Sequence, residues 1–180
     1  MPRNRVDVAR EDKLDEILSA ACARLVAGGY DALSVADLSR QLGLAQNAVY
    51  WYFPTKDHLL AAAVERILAE VVERKPRRGT PVSRVLWFTE QLHEFQGLRL
   101  SVRERAQHSD IVSSFERDVV ALLRLMLVNS LSGDVDSETL DDTADAVMAL
   151  CEGVLLRDFT AAQRQRVLRL GVDKLLAPTS

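Results

Sequence analysis

Apolar residues recur at three- and four-residue spacing along most of this chain, and breaks in that repeat divide it into helices. Leu14, Ile17, Leu18, Ala21 and Leu25 form the first stripe. It predicts a helix that starts between Asp7 and Asp12 and ends at Gly28-Gly29. Asp12, Asp15 and Glu16 occupy its early turns, where the helix dipole favours negative charge. Val35, Leu38 and Leu42 form a second, short stripe. Ser34 precedes it, with Asp37 three residues on, a start like a capping box. Gly43 follows as a left-handed C′ residue. A third helix begins near Ala45 and ends at Phe53-Pro54, because the residue before proline is pushed out of the helical region. Thr55 is the expected N-cap of a fourth, in which Leu60, Ala63, Val64, Ile67, Leu68 and Val71 repeat up to about Arg74.

The stretch Lys75-Pro76-Arg77-Arg78-Gly79-Thr80-Pro81 breaks the period and marks a boundary. Beyond it the pattern predicts helices at about 82–96, 98–107, 110–131, 136–156 and 159–176. Their breaks fall at Gly97, near Ser109-Asp110, at Ser132-Gly133-Asp134 and near Asp158-Phe159-Thr160. No alternating run suggests a strand, so the expected class is all-α.

Two short helices joined by a glycine turn form a helix-turn-helix. At 100° per residue, Ala45, Val49 and Phe53 share one face of the second helix, and Gln46, Asn47, Tyr50 and Trp51 share the other. A helix of about eight residues cannot bury all its sides, which counts against reading Tyr50, Trp51 and Tyr52 as core alone. The exposed face carries amides and aromatics without formal charge. Glutamine and asparagine bond bidentately to adenine in a major groove, and an aromatic edge can lie against a thymine methyl. A tyrosine hydroxyl reaches phosphate. Lys56 stands in the first turn of the next helix, against the dipole preference but suited to a phosphate. Arg3 and Arg5, with Arg10 and Lys13 behind them, form either a frayed terminus or an arm for phosphates and a minor groove.

Charge tempers this picture without reversing it. The net charge of −3 over 180 residues counts against an indiscriminate nucleic-acid binder, but a specific one needs only a local positive footprint. No apolar run approaches the roughly 20 residues of a membrane helix, and no apolar stretch follows Met1-Pro2-Arg3-Asn4-Arg5 as in a signal peptide. Cys22 and Cys151 lie far apart without a CxxC pattern, so reduced thiols and a cytoplasmic location are expected.

The segment from Gly43 to Leu60, GLAQNAVYWYFPTKDHLL, resembles the recognition segment of the tetracycline-repressor (TetR) family. The resemblance extends back through Ile17-Leu18-Ser19-Ala20-Ala21, Gly29-Tyr30 and Ser34-Val35. Ala36 departs from it, standing where many relatives carry Arg or Thr near DNA. The resemblance implies a helix-turn-helix domain over residues 1–55, a connecting helix over 56–75 and a ligand-binding and dimerisation domain over 76–180. It implies a double-stranded DNA partner, with Ser34, Gln46, Asn47, Tyr50, Trp51, Tyr52 and Lys56 as the DNA-contacting residues. The operator would be pseudo-palindromic and the regulator a homodimer, most simply a repressor released by a small apolar ligand. In such a family the ligand pocket would draw on Trp87, Phe88, Leu92, His93, Phe95, Phe115, Leu123, Met126 and Met148. Arg84, Glu90 and His108 are further polar candidates. The last two helices would pair with their twofold mates through Met148, Cys151, Gly153, Leu155, Val167 and Leu170, with Gly153 allowing close approach.

Enzyme chemistry finds little support. Glu90-Gln91-Leu92-His93 has the Glu-x-x-His spacing of di-iron bundles, but no second copy exists, since Glu104 and His108 are four apart. There is no HExxH, glycine-rich phosphate loop or GxSxG. A non-enzyme without cofactor or metal is therefore expected. Two rivals stand beside the ligand-released repressor. One is a DNA-binding regulator with no small ligand. The other is a helical carrier or enzyme that keeps the fold but has lost DNA binding.

Overall fold

The computed structural model describes residues 5–177. Arg3 and the side chain of Arg5, members of the expected basic arm, lie outside the described residues. The described residues form nine helices and no strand. They are α1 (Arg5–Ala32), α2 (Val35–Leu42), α3 (Gln46–Tyr52), α4 (Lys56–Glu73), α5 (Pro81–Glu94), α6 (Gln96–Ala106), α7 (Asp110–Leu131), α8 (Leu140–Leu155) and α9 (Ala161–Leu175). The described residues divide into two compact units, one of residues 5–74 and 95–116, the other of 75–94 and 117–177.

The first unit is built on α1, which packs against α2, α4 and α6. Its stripe is buried as the spacing predicts: Ile17, Ala21 and Leu25 meet Leu38, Val49, Leu59, Leu60 and Ala63 in one core. Each fully buried leucine or isoleucine there is worth about 1.5–3 kcal/mol relative to exposure. Leu98 and Val102 of α6 and Val112 of α7 complete the same core. The expected boundaries therefore change. Residues 56–75 are no separate connector, because α4 supplies much of this core; and α6 with the start of α7 belongs to the helix-turn-helix unit. Such a return of the chain leaves no mark at the Lys75–Pro81 break that the sequence pattern detects.

α1 does break at Gly28-Gly29, although helical hydrogen bonding resumes to Ala32. Gly29 takes φ 63°, ψ −156°, a region open almost only to glycine. A Cβ on it would stand 2.5 Å from the Ser101 hydroxyl, so the end of α1 runs very close to α6.

In the second unit α5, α8 and α9 pack together. Val85, Phe88, Leu92, Met126, Leu127, Leu131, Ala144, Val147, Cys151, Val154, Leu168 and Val172 form its core. α6 starts at Gln96, so Gly97 lies inside it rather than at the expected break. α8 starts later than expected, because Asp136 turns the chain first: its carboxylate accepts from the Glu138 amide at 3.1 Å and its carbonyl from the Thr139 amide at 3.1 Å. α9 opens on a full capping box between Thr160 and Gln163. No helix among the described residues is long and apolar enough to cross a membrane.

Candidate nucleic-acid interface

The local signals at the helix-turn-helix act as their chemistry requires. The Ser34 hydroxyl accepts the Asp37 amide at 3.2 Å and caps α2, leaving its own O–H able to donate. The Asp37 carboxylate pairs with Arg40 instead of reaching back to the cap, so the capping box is only half formed. Gly43 holds the left-handed C-cap at φ 64°, and its amide bonds back to α2. The turn delivers Val49 into the core with Phe53 behind it. Ala45, expected on that buried face, is the exposed N-cap of α3.

Gln46, Asn47, Tyr50 and Trp51 are exposed together, Trp51 at 62% of its surface. Burying an indole is strongly favoured, so leaving one largely in water on a seven-residue helix requires a reason. Trp51 is held in place: the Arg10 guanidinium lies 4.6 Å from its ring centre, and Tyr52 meets it edge-on at 4.8 Å. The Tyr52 hydroxyl donates to the Arg10 carbonyl at 3.5 Å. Tyr52 thus packs α3 against α1, with its ring half-buried, and Arg10 joins the exposed face of α3.

The start of α4 is tied down more firmly. Thr55 caps it by accepting the His58 amide at 3.3 Å. The first intrahelical bond runs from Leu59 to Thr55, so the Lys56 and Asp57 amides precede the ladder. Asp57 is buried, and a buried carboxylate requires partners. Arg105 of α6 supplies a two-pronged pair, at 2.9 Å to Oδ1 and 2.8 Å to Oδ2. The Tyr30 hydroxyl donates to Oδ1 at 2.7 Å. These hydrogen bonds, Arg105 foremost and with Ser109 contributing, hold the carboxyl far below its ordinary range despite the opposing effect of burial. Burial, and then the hydrogen bond to Asp57, push the Tyr30 phenol up to about 12. The Lys56 ammonium rests 3.8 Å from the Tyr30 ring centre, and burial shifts it downward. None of Tyr30, Asp57 and Arg105 was read from the sequence as a site residue. Their contacts span up to 48 positions, and the Lys56-Asp57 adjacency is the only local signal.

Residues 17–63 match the sequence profile of the "Bacterial regulatory proteins, tetR family". That match spans the helix-turn-helix and reaches into α1 and α4. It is 27% identical over 160 residues to the HTH-type transcriptional repressor AcnR of Corynebacterium jeikeium, covering 83% of this chain and 82% of that one. It is 23% identical over 152 residues to the HTH-type transcriptional regulator YwcC of Bacillus subtilis, covering 84% of this chain and 59% of the relative's length. A regulator from Saccharomonospora viridis, solved in complex with choline, shares the fold at TM-score 0.70 and 17% identity, with 91% of this chain and 96% of that one covered.

The residues expected around a ligand do not gather in one core. Phe95 and Phe115 are partly buried against the core of the first unit. Phe88, Leu92 and Met126 are core residues of the second unit, with Trp87, Leu123 and Met148 packed against it. His93 and His108 are exposed. Arg84 pairs with Asp134, and Glu90 lies 3.8 Å from Arg164. The expected dimer residues divide likewise. Cys151 and Leu155 are buried in their own chain's core, because they lie on the inner side of α8. Cys151 accepts the Thr89 hydroxyl at 3.2 Å, and burial pushes its thiol up to about 11. Met148 is partly buried on the same core. Gly153, Val167 and Leu170 face outward, joined by Leu156 at 84% exposure. The glycine of close approach within the chain is Gly171, where a Cβ would stand 2.4 Å from Leu150 Cδ2.

Proposed function

We propose that this chain is a sequence-specific DNA-binding transcriptional regulator that acts as a homodimeric repressor. The carrying observation is the exposed face of α3, where Gln46, Asn47, Tyr50 and Trp51 stand free of the core with Arg10 stacked beside them. The face offers amide forks for base edges, while Arg10, Arg40 and Lys56 supply local positive charge on a chain of net charge −3. The relatives' names as repressor and regulator support the same reading. Two subunits would read half-sites about 34–36 Å apart, or a multiple of that spacing. The outward apolar residues Leu156, Val167 and Leu170 support pairing through α8 and α9. The protein acts in the cytoplasm and carries out no catalysis.

A small ligand would release the DNA, and by linkage ligand and DNA would weaken each other by the same factor. The choline bound by the Saccharomonospora viridis protein supports this part. The second reading, regulation without a small ligand, draws support from the burial of Phe88, Leu92 and Met126 in a packed core. The test is titration of the purified chain against DNA flanking its own gene and against random DNA, at several stated salt concentrations. Preference for one flanking fragment is expected. Equal binding to both, or none, would count against a specific regulator.

A further inference from the structure

Asp57 ties α1 and α6 to the point where α4 begins, and the consequence reaches its neighbour Lys56. The carboxylate is clamped by Arg105 from α6 and accepts the Tyr30 hydroxyl at the end of α1. The hydroxyl anchors one end of the Tyr30 ring there, and the Lys56 ammonium rests on the ring face at 3.8 Å. Arg105 lies near the same ring, at 5.2 Å. Gly29 keeps α1 and α6 close enough for this, since any side chain there would collide with Ser101. Each link from Arg105 to Lys56 is therefore a direct contact.

We propose that Arg105 is a positioning residue for DNA binding: through Asp57 and Tyr30 it holds the Lys56 ammonium at the first turn of α4, ready for a backbone phosphate. This rests on the proposed function above. A lysine with a free stem loses rotamer freedom when it meets a phosphate, and one already held on a ring loses less. The amides of Lys56 and Asp57, which precede the α4 ladder, add donors to the same spot. Arg105 itself touches no DNA in this account. A staple that served stability alone would have no specific effect on the lysine.

The experiment uses the full chain and the variants Arg105→Gln, Arg105→Lys, Lys56→Ala and Arg105→Gln with Lys56→Ala. Proton NMR reads the Lys56 ε-methylene signals, which the Tyr30 ring should shift upfield. DNA titrations over a range of salt read the slope of log K against log salt. In Arg105→Gln the Lys56 signals should return toward the position of a free lysine. The salt slope should fall by about one, as in Lys56→Ala, and the double variant should fall no further. Arg105→Lys keeps the charge but not the fork, and should lie between wild type and Arg105→Gln. If Arg105→Gln fails to fold by circular dichroism, Arg105→Lys carries the same readouts. A folded Arg105 variant with unmoved Lys56 signals and an unchanged slope would overturn the proposal, as would additive losses in the double variant. A wild-type chain that binds no DNA would overturn both this and the proposed function, whereas wild-type binding with an unchanged slope in the variants overturns this alone.

Discussion

The Arg10 guanidinium lies over the Trp51 ring at 4.6 Å, so α1 and α3 present a cation and an indole as one unit. Such a stack at an exposed site is worth about 0.5–1 kcal/mol, enough to bias the arginine's position without burying it. Arg10→Ala should weaken binding to all DNA alike and lower the salt slope by about one, as loss of a phosphate contact does. Trp51→Ala should lower the slope by less and relax preference at one base position. Filter binding on operator and random DNA distinguishes them; an Arg10→Ala chain with wild-type slope would show that the cation faces no phosphate.

Gly29 should tolerate no replacement. Its backbone lies in a region that costs other residues about 1–3 kcal/mol, and Ser101 would have to move as well. Gly29→Ala should lower the unfolding free energy by at least that range in urea titrations. A change within about 0.5 kcal/mol would mean that the α1 break relaxes freely.

The Asp57 cluster predicts how stability varies with pH. Asp57 titrates lower in the folded chain than unfolded, so its contribution is present above about pH 4 and is lost as pH falls below that. Tyr30 is raised, from 10 to about 12, so its contribution is full below pH 10 and is lost as pH climbs toward 12. Tyr30→Phe should flatten the alkaline limb and cost about 1.5–3 kcal/mol at neutral pH, the worth of a hydrogen bond to a charged group. Asp57→Asn should flatten the acid limb. Thermal unfolding from pH 3 to 12 reads both limbs, and an unaltered alkaline limb in Tyr30→Phe would contradict the assignment.

Their surroundings within the chain predict different fates for two glycines of α8 and α9. No atom lies within 4 Å of a Cβ at Gly153, so Gly153→Ala should stabilise α8 by about 1 kcal/mol through helix propensity. Gly171→Leu forces Leu150 aside and should cost about 1–3 kcal/mol. Leu170 is 65% exposed, and Leu170→Asp should leave the chain folded but monomeric in sedimentation, with specific DNA binding lost. A monomeric Leu170→Asp chain that binds the operator as tightly as wild type would rule out the proposed pairing through α8 and α9.

Local chemistry was legible in the sequence where a few adjacent residues decide the outcome. Ser34, Gly43, Thr55 and the Phe53-Pro54 step each take the role their type demands, and the outward face of α3 follows from its 100° period. Assignments that depend on what a helix meets were less legible. Cys151 and Leu155 share the apolar character of Val167 and Leu170, yet the former face their own core and the latter face water. Phe95 and Phe88 look alike in sequence and pack on different units. The Asp57 cluster is hardly legible, because Arg105 lies 48 positions away and only the adjacency of Lys56 and Asp57 marks it locally.

The proposed interface divides its residues between reading bases and holding phosphates. Asn47 is exposed on α3 and carries an amide fork, whereas Lys56 is a cation at the start of α4. The deciding measurement is the affinity of Asn47→Ala and Lys56→Ala for operator and random DNA, each over a range of salt. Asn47→Ala should lose about 1–3 kcal/mol on the operator, relax preference at one position and leave random binding unchanged. Lys56→Ala should weaken both DNAs equally and lower the salt slope by about one. Equal loss on both DNAs in Asn47→Ala, or loss confined to the operator in Lys56→Ala, would contradict the docking of α3 in a major groove.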